Sequence, residues 1–377
     1  MNDRLKITVS GAGIGGLAVG TALAANGHDV CIAERAEAIT EVGAGLQISP
    51  NGMRVINALG LTETLAARSV RIEKVRLIDG PSGRDVLTLD MLAGFGDVPW
   101  LAVHRADLID VLQSAALAQG ARIRTGHEIA PPPEGRALDD DDLLIGADGL
   151  KSTLRARVDE ASKPFFTRQV AWRAVISDPE DQRPEARVYL GPGRHLVSYP
   201  LTEGRRNIVA VEERVAWAEE GWSHKDHPAN MREAFDGFAG PVPTWLGAVD
   251  EVHLWGLFRH RVAHRWHSGR QVLLGDAAHP TLPFLAQGAN LALEDAWSLA
   301  RCLGEAPLDE ALPAYQALRH QRVTRVTEAA TRNARNYHLR FPPLRFAVHS
   351  VLRIMGAVAP NRVRDSLAWI YTHDVTA

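Results

Sequence analysis

The sequence predicts an α/β chain: a doubly wound, mainly parallel sheet that is left for a β-rich insertion, rejoined later, and followed by C-terminal helices. Three observations predict it. Residues 5–35 read strand, glycine turn, helix, strand. Two later apolar runs, 143–146 and 271–274, each end in a turn built from Gly and Asp, as buried parallel strands do. Between them, from about Phe165 to Arg261, runs such as 187–190, 196–200 and 207–211 alternate with the period of antiparallel strands.

The first stretch is the most informative. Leu5, Ile7 and Val9 form a buried strand, Gly11-Ala12-Gly13-Ile14-Gly15-Gly16 the turn, and residues 17–26 a helix. A second strand, Val30-Cys31-Ile32-Ala33, ends in Glu34, with Arg35 beside it. This is a G-x-G-x-x-G turn in the strand–turn–helix–strand setting of dinucleotide binding. Gly11 permits the turn and Gly13 lets the backbone approach a pyrophosphate, which rests on the helix N–H groups. Gly16 lets helix and strand pack closely. Glu34 can accept hydrogen bonds from an adenosine ribose, which favours FAD or NAD over NADP. The motif does not separate FAD from NAD.

Composition bounds the rest. A chain of 377 residues buries a large core and suggests two domains, while 46% hydrophobic and 23% charged residues are ordinary for a soluble protein. A net charge of −3 gives no case for nucleic acid or an anionic membrane. The two cysteines, Cys31 and Cys302, cannot build a disulfide framework or a metal cluster and read as core residues. No leader precedes the first strand and no apolar run reaches the ~20 residues of a membrane span, so the expected location is the cytoplasm.

Along the chain, Gly43 and Gly45 before a short apolar run suggest backbone packed close to a cofactor's middle. A helix over 53–59 stops at Gly60, and 70–79 and 85–89 read as strands around the turn 80–83. A strand at 101–103 leads into His104-Arg105-Ala106-Asp107-Leu108 and a helix to about Ala118. The three prolines and four aspartates of 131–142 read as a solvated surface loop. Helices follow over 291–303 and 312–337, and 341–359 is apolar and Arg-studded. That last segment reads as packing on the protein's own core rather than on a membrane, because His349 and small residues dilute its apolar face. The tryptophans of the insertion read as core.

Two further strand ends carry chemistry. Asp148-Gly149 lies where ligands bind in doubly wound sheets, although Asp and Gly also serve plain turn chemistry there. Gly275-Asp276 leads to a loop containing Pro283 and to a helix opening at Gly288-Ala289-Asn290. Asp276 can accept a hydrogen bond from a polyol such as flavin ribitol. The free N–H groups of that helix start favour an electron-rich oxygen on an isoalloxazine ring, and with it a reduced, anionic flavin. Arg105 can reach a phosphate or ribityl oxygen, or pair with Asp107 at the surface.

With these motifs assembled, the chain resembles the class A flavoprotein monooxygenases, the aromatic hydroxylases typified by p-hydroxybenzoate, salicylate and 3-hydroxybenzoate hydroxylases. Residues 11–16 with Glu34 match the family's FAD fingerprint. Residues 146–155 match its DG motif, 275–280 its GD motif, and the stretch around Arg105 and the ending 369–374 also match. The resemblance implies a Rossmann-like FAD-binding domain of glutathione-reductase type with an inserted β-sheet substrate domain and C-terminal helices. The FAD-binding parts would be 1–75, 101–165 and 265–330, the substrate domain 76–100 and 166–264, and the helical end 331–377. It also implies bound FAD, NADH or NADPH as transient co-substrate, and hydroxylation of a small aromatic by O₂ through a flavin C4a-hydroperoxide. A flavin dehydrogenase without oxygen insertion, a hydroxylase of a quinone precursor and a non-catalytic flavin-binding module are the alternatives. The assembly would be a monomer or homodimer, without a metal. Many relatives carry a His before the Tyr-Pro of the central strand, where this chain has Ser198-Tyr199-Pro200. His195, Tyr199 and Pro283 are the remaining catalytic candidates, and His195 reads more readily as a structural strand histidine than as a base. Without a bulge, 195, 197 and 199 share one face.

Overall fold

Four short, largely apolar inner strands with two polar edge strands build the first sheet, in the order His267–Ser268, Gln271–Leu273, Leu143–Gly146, Lys6–Ser10, Asp29–Ala33, Arg122–Arg124. The computed structural model describes residues 4–39, 44–92, 95, 97–138, 140–159, 164–215 and 224–377. Gly43 and Asp139 lie outside the described residues. All neighbouring strands are parallel except the edge hairpin His267–Ser268 with Gln271–Leu273. The helix Ile14–Ala25 is apolar all round and accordingly buried, packed on the helix Gly288–Glu305. Because four inner strands are neighbours, Gly11, Glu34, Asp148 and Asp276 all leave from the C-terminal edge of one sheet.

Two glycines make the first turn. Gly11 has φ +105°, in the left-handed region. A Cβ on Gly16 would stand 1.9 Å from the Gly11 carbonyl oxygen. Only hydrogen fits there.

The second sheet has eight strands, in the order His224–Asp226, Val252–Arg259, Phe165–Ser177, Arg205–Glu213, Arg194–Leu201, Glu185–Gly191, Lys74–Asp79, Asp85–Asp90. It is antiparallel except where Glu185–Gly191 runs parallel to Lys74–Asp79. Strand alternation divides its side chains cleanly. Trp172, Leu196, Ile208, Ala210 and Leu254 pack with Met231 and Trp245 of two short helices, Pro228–Ala234 and Val242–Gly247, and with Phe235 just past the first. Arg173, Val188, His195, Val197, Tyr199, Val209 and Trp255 face the other way, into a cavity. A three-stranded sheet, Gly45–Ile48, Leu101–His104, Ser69–Arg71, is tied to this one by the Gly45 N–H donating to Asn207 Oδ1 at 2.7 Å.

Four sequence expectations change. The run 70–79 is not one strand: Ser69–Arg71 joins the small sheet and Lys74–Asp79 the large one. Ile72 and Glu73 cross between them, donating to Trp100 and Pro184 carbonyls at 2.8 Å. The helix expected from 312 starts at Leu308 and carries Pro313 inside, because buried Leu312, Tyr315 and Arg319 anchor it. The acidic run is not simply solvated, since Asp142 Oδ2 accepts the Lys6 N–H at 2.9 Å and so closes the first strand. Finally, the helix Pro342–Val358 buries only one face, with His349 inside. Leu344, Val351, Ile354, Met355 and Val358, with Phe341 just before the helix, form an exposed stripe along its outer side. The apolar residues there are too many for one buried face to absorb. Among the described residues, no helix is long and apolar enough to cross a membrane.

Candidate active site

Between the two large sheets lies a cavity of about 1240 Å³. Its lining includes Gly13, Arg35, Gly45, Arg105, Asp148, Gly149, Gly275, Asp276, Pro283, Gly288 and Ala289, together with His195 and Tyr199 from the large sheet. Segments as remote in sequence as Gly13 and Tyr371 thus share one cavity.

Gly11, Ala12, Gly16, Glu34 and Asn290 do not line it; they stand behind the wall. Glu34 Oε2 accepts the Ala12 N–H at 2.9 Å and Oε1 the Ala36 N–H at 3.0 Å, so this carboxylate fixes the glycine turn itself. Asn290 is fully buried. Its Oδ1 accepts the Ser49 N–H at 3.0 Å, and its Nδ2 donates to the carbonyls of Gln47 and Ala286. These bonds hold Ala286, whose φ of +53° is strained for a residue with a Cβ, at the cavity wall.

Burial pushes the Asp148 and Asp276 carboxyls above their usual range; hydrogen bonds oppose it at Asp148, as do His279 and Arg105 at Asp276. Asp148 Oδ2 accepts the Thr153 N–H at 3.1 Å, while Oδ1 is buried with no protein partner. Buried Arg155 joins the DG and GD segments, donating to Ala277, Ala278 and Arg261 carbonyls at 3.1, 2.9 and 2.7 Å.

The sequence reading missed a buried ionic network behind the loop 275–288. Arg319 Nε donates to Asp295 Oδ1 at 2.8 Å, and its Nη1 stands 2.6 Å from Glu294 Oε2. Arg322 grips both Glu294 oxygens at 2.7 and 2.8 Å, and Asn51 Nδ2 donates to Oε1 at 2.6 Å. Asp295 Oδ2 accepts the Gly275 N–H at 3.1 Å and bonds His279 Nε2. Two adjacent acids on a buried helix were the available sign, but their partners sit on another helix, and periodicity does not name partners.

This network sets a pH dependence. Burial alone would raise the Glu294 carboxyl, but the two guanidiniums outweigh it and hold it at about 2, against an ordinary 4.5. A depressed carboxyl stabilises the fold above its unfolded value, and that contribution drains away as pH falls from 4.5 towards 2. The difference is worth about 3 kcal/mol. Acid titration followed by circular dichroism is expected to show unfolding steepening below about pH 4.5, with the slope reduced by up to one proton in E294Q.

Known proteins resemble this chain over its whole length. The family model described as FAD binding domain matches residues 4–330. A 3-amino-4-hydroxybenzoate 2-monooxygenase of Streptomyces platensis is 33% identical, over 98% of this chain and 96% of its own. One from Streptomyces cremeus is 37% identical, over 90% and 89%. The chain belongs to the FAD-dependent aromatic monooxygenases. A solved structure of Klebsiella pneumoniae HpxO complexed with FAD and uric acid shares the monooxygenase fold with a TM-score of 0.83, at 24% identity and 98% coverage of each chain.

The monooxygenase's cavity fits the cofactor on its own geometry. A Cβ on Gly13 would meet nothing within 4 Å, so the backbone there faces open space beside the N-terminus of a helix. The first N–H groups of the helices at Ile14 and Gly288 have no acceptor within their helices. Arg35 and Arg105 bring positive charge to the same wall, and the unpartnered Asp148 oxygen brings an acceptor. Diphosphate, polyol and an electron-rich ring edge are what such a set accepts.

Proposed function

We propose that this monooxygenase hydroxylates the ring of a small phenolic acid whose carboxylate is held by Arg173. One observation supports the reading above others. Among the described residues, Arg173 is the one guanidinium that the large sheet contributes to the cavity, amid Val188, Val197, Val209 and Trp255. A cation in an apolar wall selects an anionic ring.

In this reading Gly13 and the helix start behind it face the FAD diphosphate, with Arg35 and Arg105 neutralising its charge. Asp276 would accept from the ribityl chain and Asp148 from a further hydroxyl, and the N–H groups of Gly288 and Ala289 would serve the flavin's pyrimidine edge. FAD held there would supply the redox chemistry that these side chains lack, linking NADH or NADPH and O₂ to the ring. The protein binds and orients the substrate, and its two sheets exclude water from the reacting face.

Replacing Arg173 by Met tests this. For hydroxybenzoates kcat/KM is expected to fall roughly tenfold to a hundredfold, the worth of a charge-assisted hydrogen bond of about 1.5–3 kcal/mol. The corresponding phenols without a carboxylate should be unaffected. NAD(P)H and O₂ consumption with product analysis gives the measurement. An equal loss for both substrate sets would overturn the assignment.

A further inference from the structure

The cavity continues past the wall around Arg173. The strands Lys74–Asp79 and Asp85–Asp90 extend the large sheet beyond Glu185–Gly191, and the helices Pro342–Val358 and Pro360–Asp365 pack on the last of them. Between sheet and helices lies an arm of the same cavity. Leu77, Leu87 and Leu89 line it from the strands, and Val348, Leu352 and Leu367 from the helical end. Leu77 sits on an inner strand, on the cavity side, yet it is only partly buried, so its remaining exposure opens into the arm.

Four polar side chains also reach this arm, and each is already engaged. Trp100 Nε1 donates to Gln47 Oε1 at 2.8 Å, the Tyr371 hydroxyl to the Leu285 carbonyl at 3.3 Å and Ser366 Oγ to the Val363 carbonyl at 2.6 Å. His349 Nδ1 stands 3.2 Å from Asp79 Oδ1. The wall assigned to the cofactor differs, since Asp148 Oδ1 there is buried without a protein partner. An arm built this way gives water little to bond, and gives an aliphatic chain dispersion contacts along its length.

Sheet geometry sets the reach. The strand Phe165–Ser177, which carries Arg173, and the strand Lys74–Asp79 are four places apart in the strand order, about 19 Å in all. A phenolic acid whose carboxylate rests on Arg173 covers about two of those four spacings. The remainder runs from the far edge of the ring to Leu77 and Leu87. We propose that the arm houses an aliphatic chain on that far edge, so that the preferred substrates are phenolic acids alkylated meta or para to the carboxylate. The proposal rests on the substrate reading above and narrows its substrate class. The chain takes no part in the chemistry. Each buried methylene strengthens binding, and the ring is held from two sides, by charge at Arg173 and by apolar contact at Leu77 and Leu352.

The test uses FAD-loaded enzyme, 3-hydroxybenzoate, and its derivatives carrying methyl, propyl, pentyl or heptyl at the 4-position. Binding is read from the change in flavin absorbance, and turnover from NAD(P)H and O₂ consumption with product analysis. Kd is expected to fall roughly twofold to fourfold for each added methylene until the arm is filled. Leu352→Trp and Val348→Trp each fill the arm from the same helix, and in both the gain per methylene is expected to vanish. Thermal melts and FAD content show whether each variant is folded, and the wild-type series decides without them. A wild-type Kd that stays level or rises along the series, while 3-hydroxybenzoate itself is hydroxylated, overturns the arm alone. Octanoate that binds together with 3-hydroxybenzoate would then mark the arm as a site for a separate lipid. A chain-length gain that survives in folded L352W and V348W also overturns it. A wild-type enzyme that hydroxylates no member of the series, chain or none, overturns the substrate reading and the arm together.

Discussion

Replacing Arg319 by Leu is expected to destabilise the protein by about 3–5 kcal/mol, the cost of leaving buried carboxylates without their cation. Glu294 keeps Arg322, so the larger damage falls on Asp295. Asp295 holds the Gly275 N–H and His279, the first and fifth residues of the segment that presents Asp276 and Pro280 to the cavity. Loss of FAD should therefore accompany the fall in thermal midpoint, and excess FAD should recover only part of it. Arg319→Lys is expected to rescue little, since one ammonium cannot span both Asp295 Oδ1 and Glu294 Oε2 in the same geometry. The measurements are thermal melts with and without added FAD and the flavin-to-protein absorbance ratio. Wild-type stability in R319L would show that the network is dispensable.

This network also marks where sequence reading stopped. Local signals were legible: the glycine turn, the Asp-Gly strand ends, and the alternation that sorted Val197 and Tyr199 onto one face all depend on residues a few positions apart. The shared wall followed from topology, because parallel strands in neighbouring positions release their loops at one edge. What stayed hidden depends on partners remote in sequence. Sequence alone points Glu34 at a ribose, yet its oxygens clamp Ala12 and Ala36, and only the folded turn brings those N–H groups to it. His195 looked like an ordinary strand histidine until His338, 143 positions on, came within 2.7 Å. The apolar stripe of 342–358 was misjudged for the opposite reason: periodicity reveals an apolar face but not whether anything covers it.

The two glycines that flank Ile14 and Gly15 offer the sharpest separation of fold from cofactor binding. Gly13→Ala is expected to leave the apoprotein's stability unchanged, because its backbone is extended and an added Cβ would meet nothing within 4 Å. The methyl group would instead enter the space where the backbone faces the cavity, and FAD affinity should fall at least tenfold, about 1.4 kcal/mol. Gly16→Ala is expected to do the reverse in order of cause. Its Cβ would collide with a backbone carbonyl at 1.9 Å, which no side-chain rotation relieves, so helix and strand must separate. Overpacking of this kind costs roughly 1–3 kcal/mol or more, and cofactor loss follows from the shifted turn. Melting the two apoproteins, then titrating each with FAD by flavin fluorescence, distinguishes the cases. A Gly13→Ala protein that binds FAD as tightly as wild type would show that the diphosphate does not pass this turn, and the cavity's assignment to the cofactor would fail at its first residue.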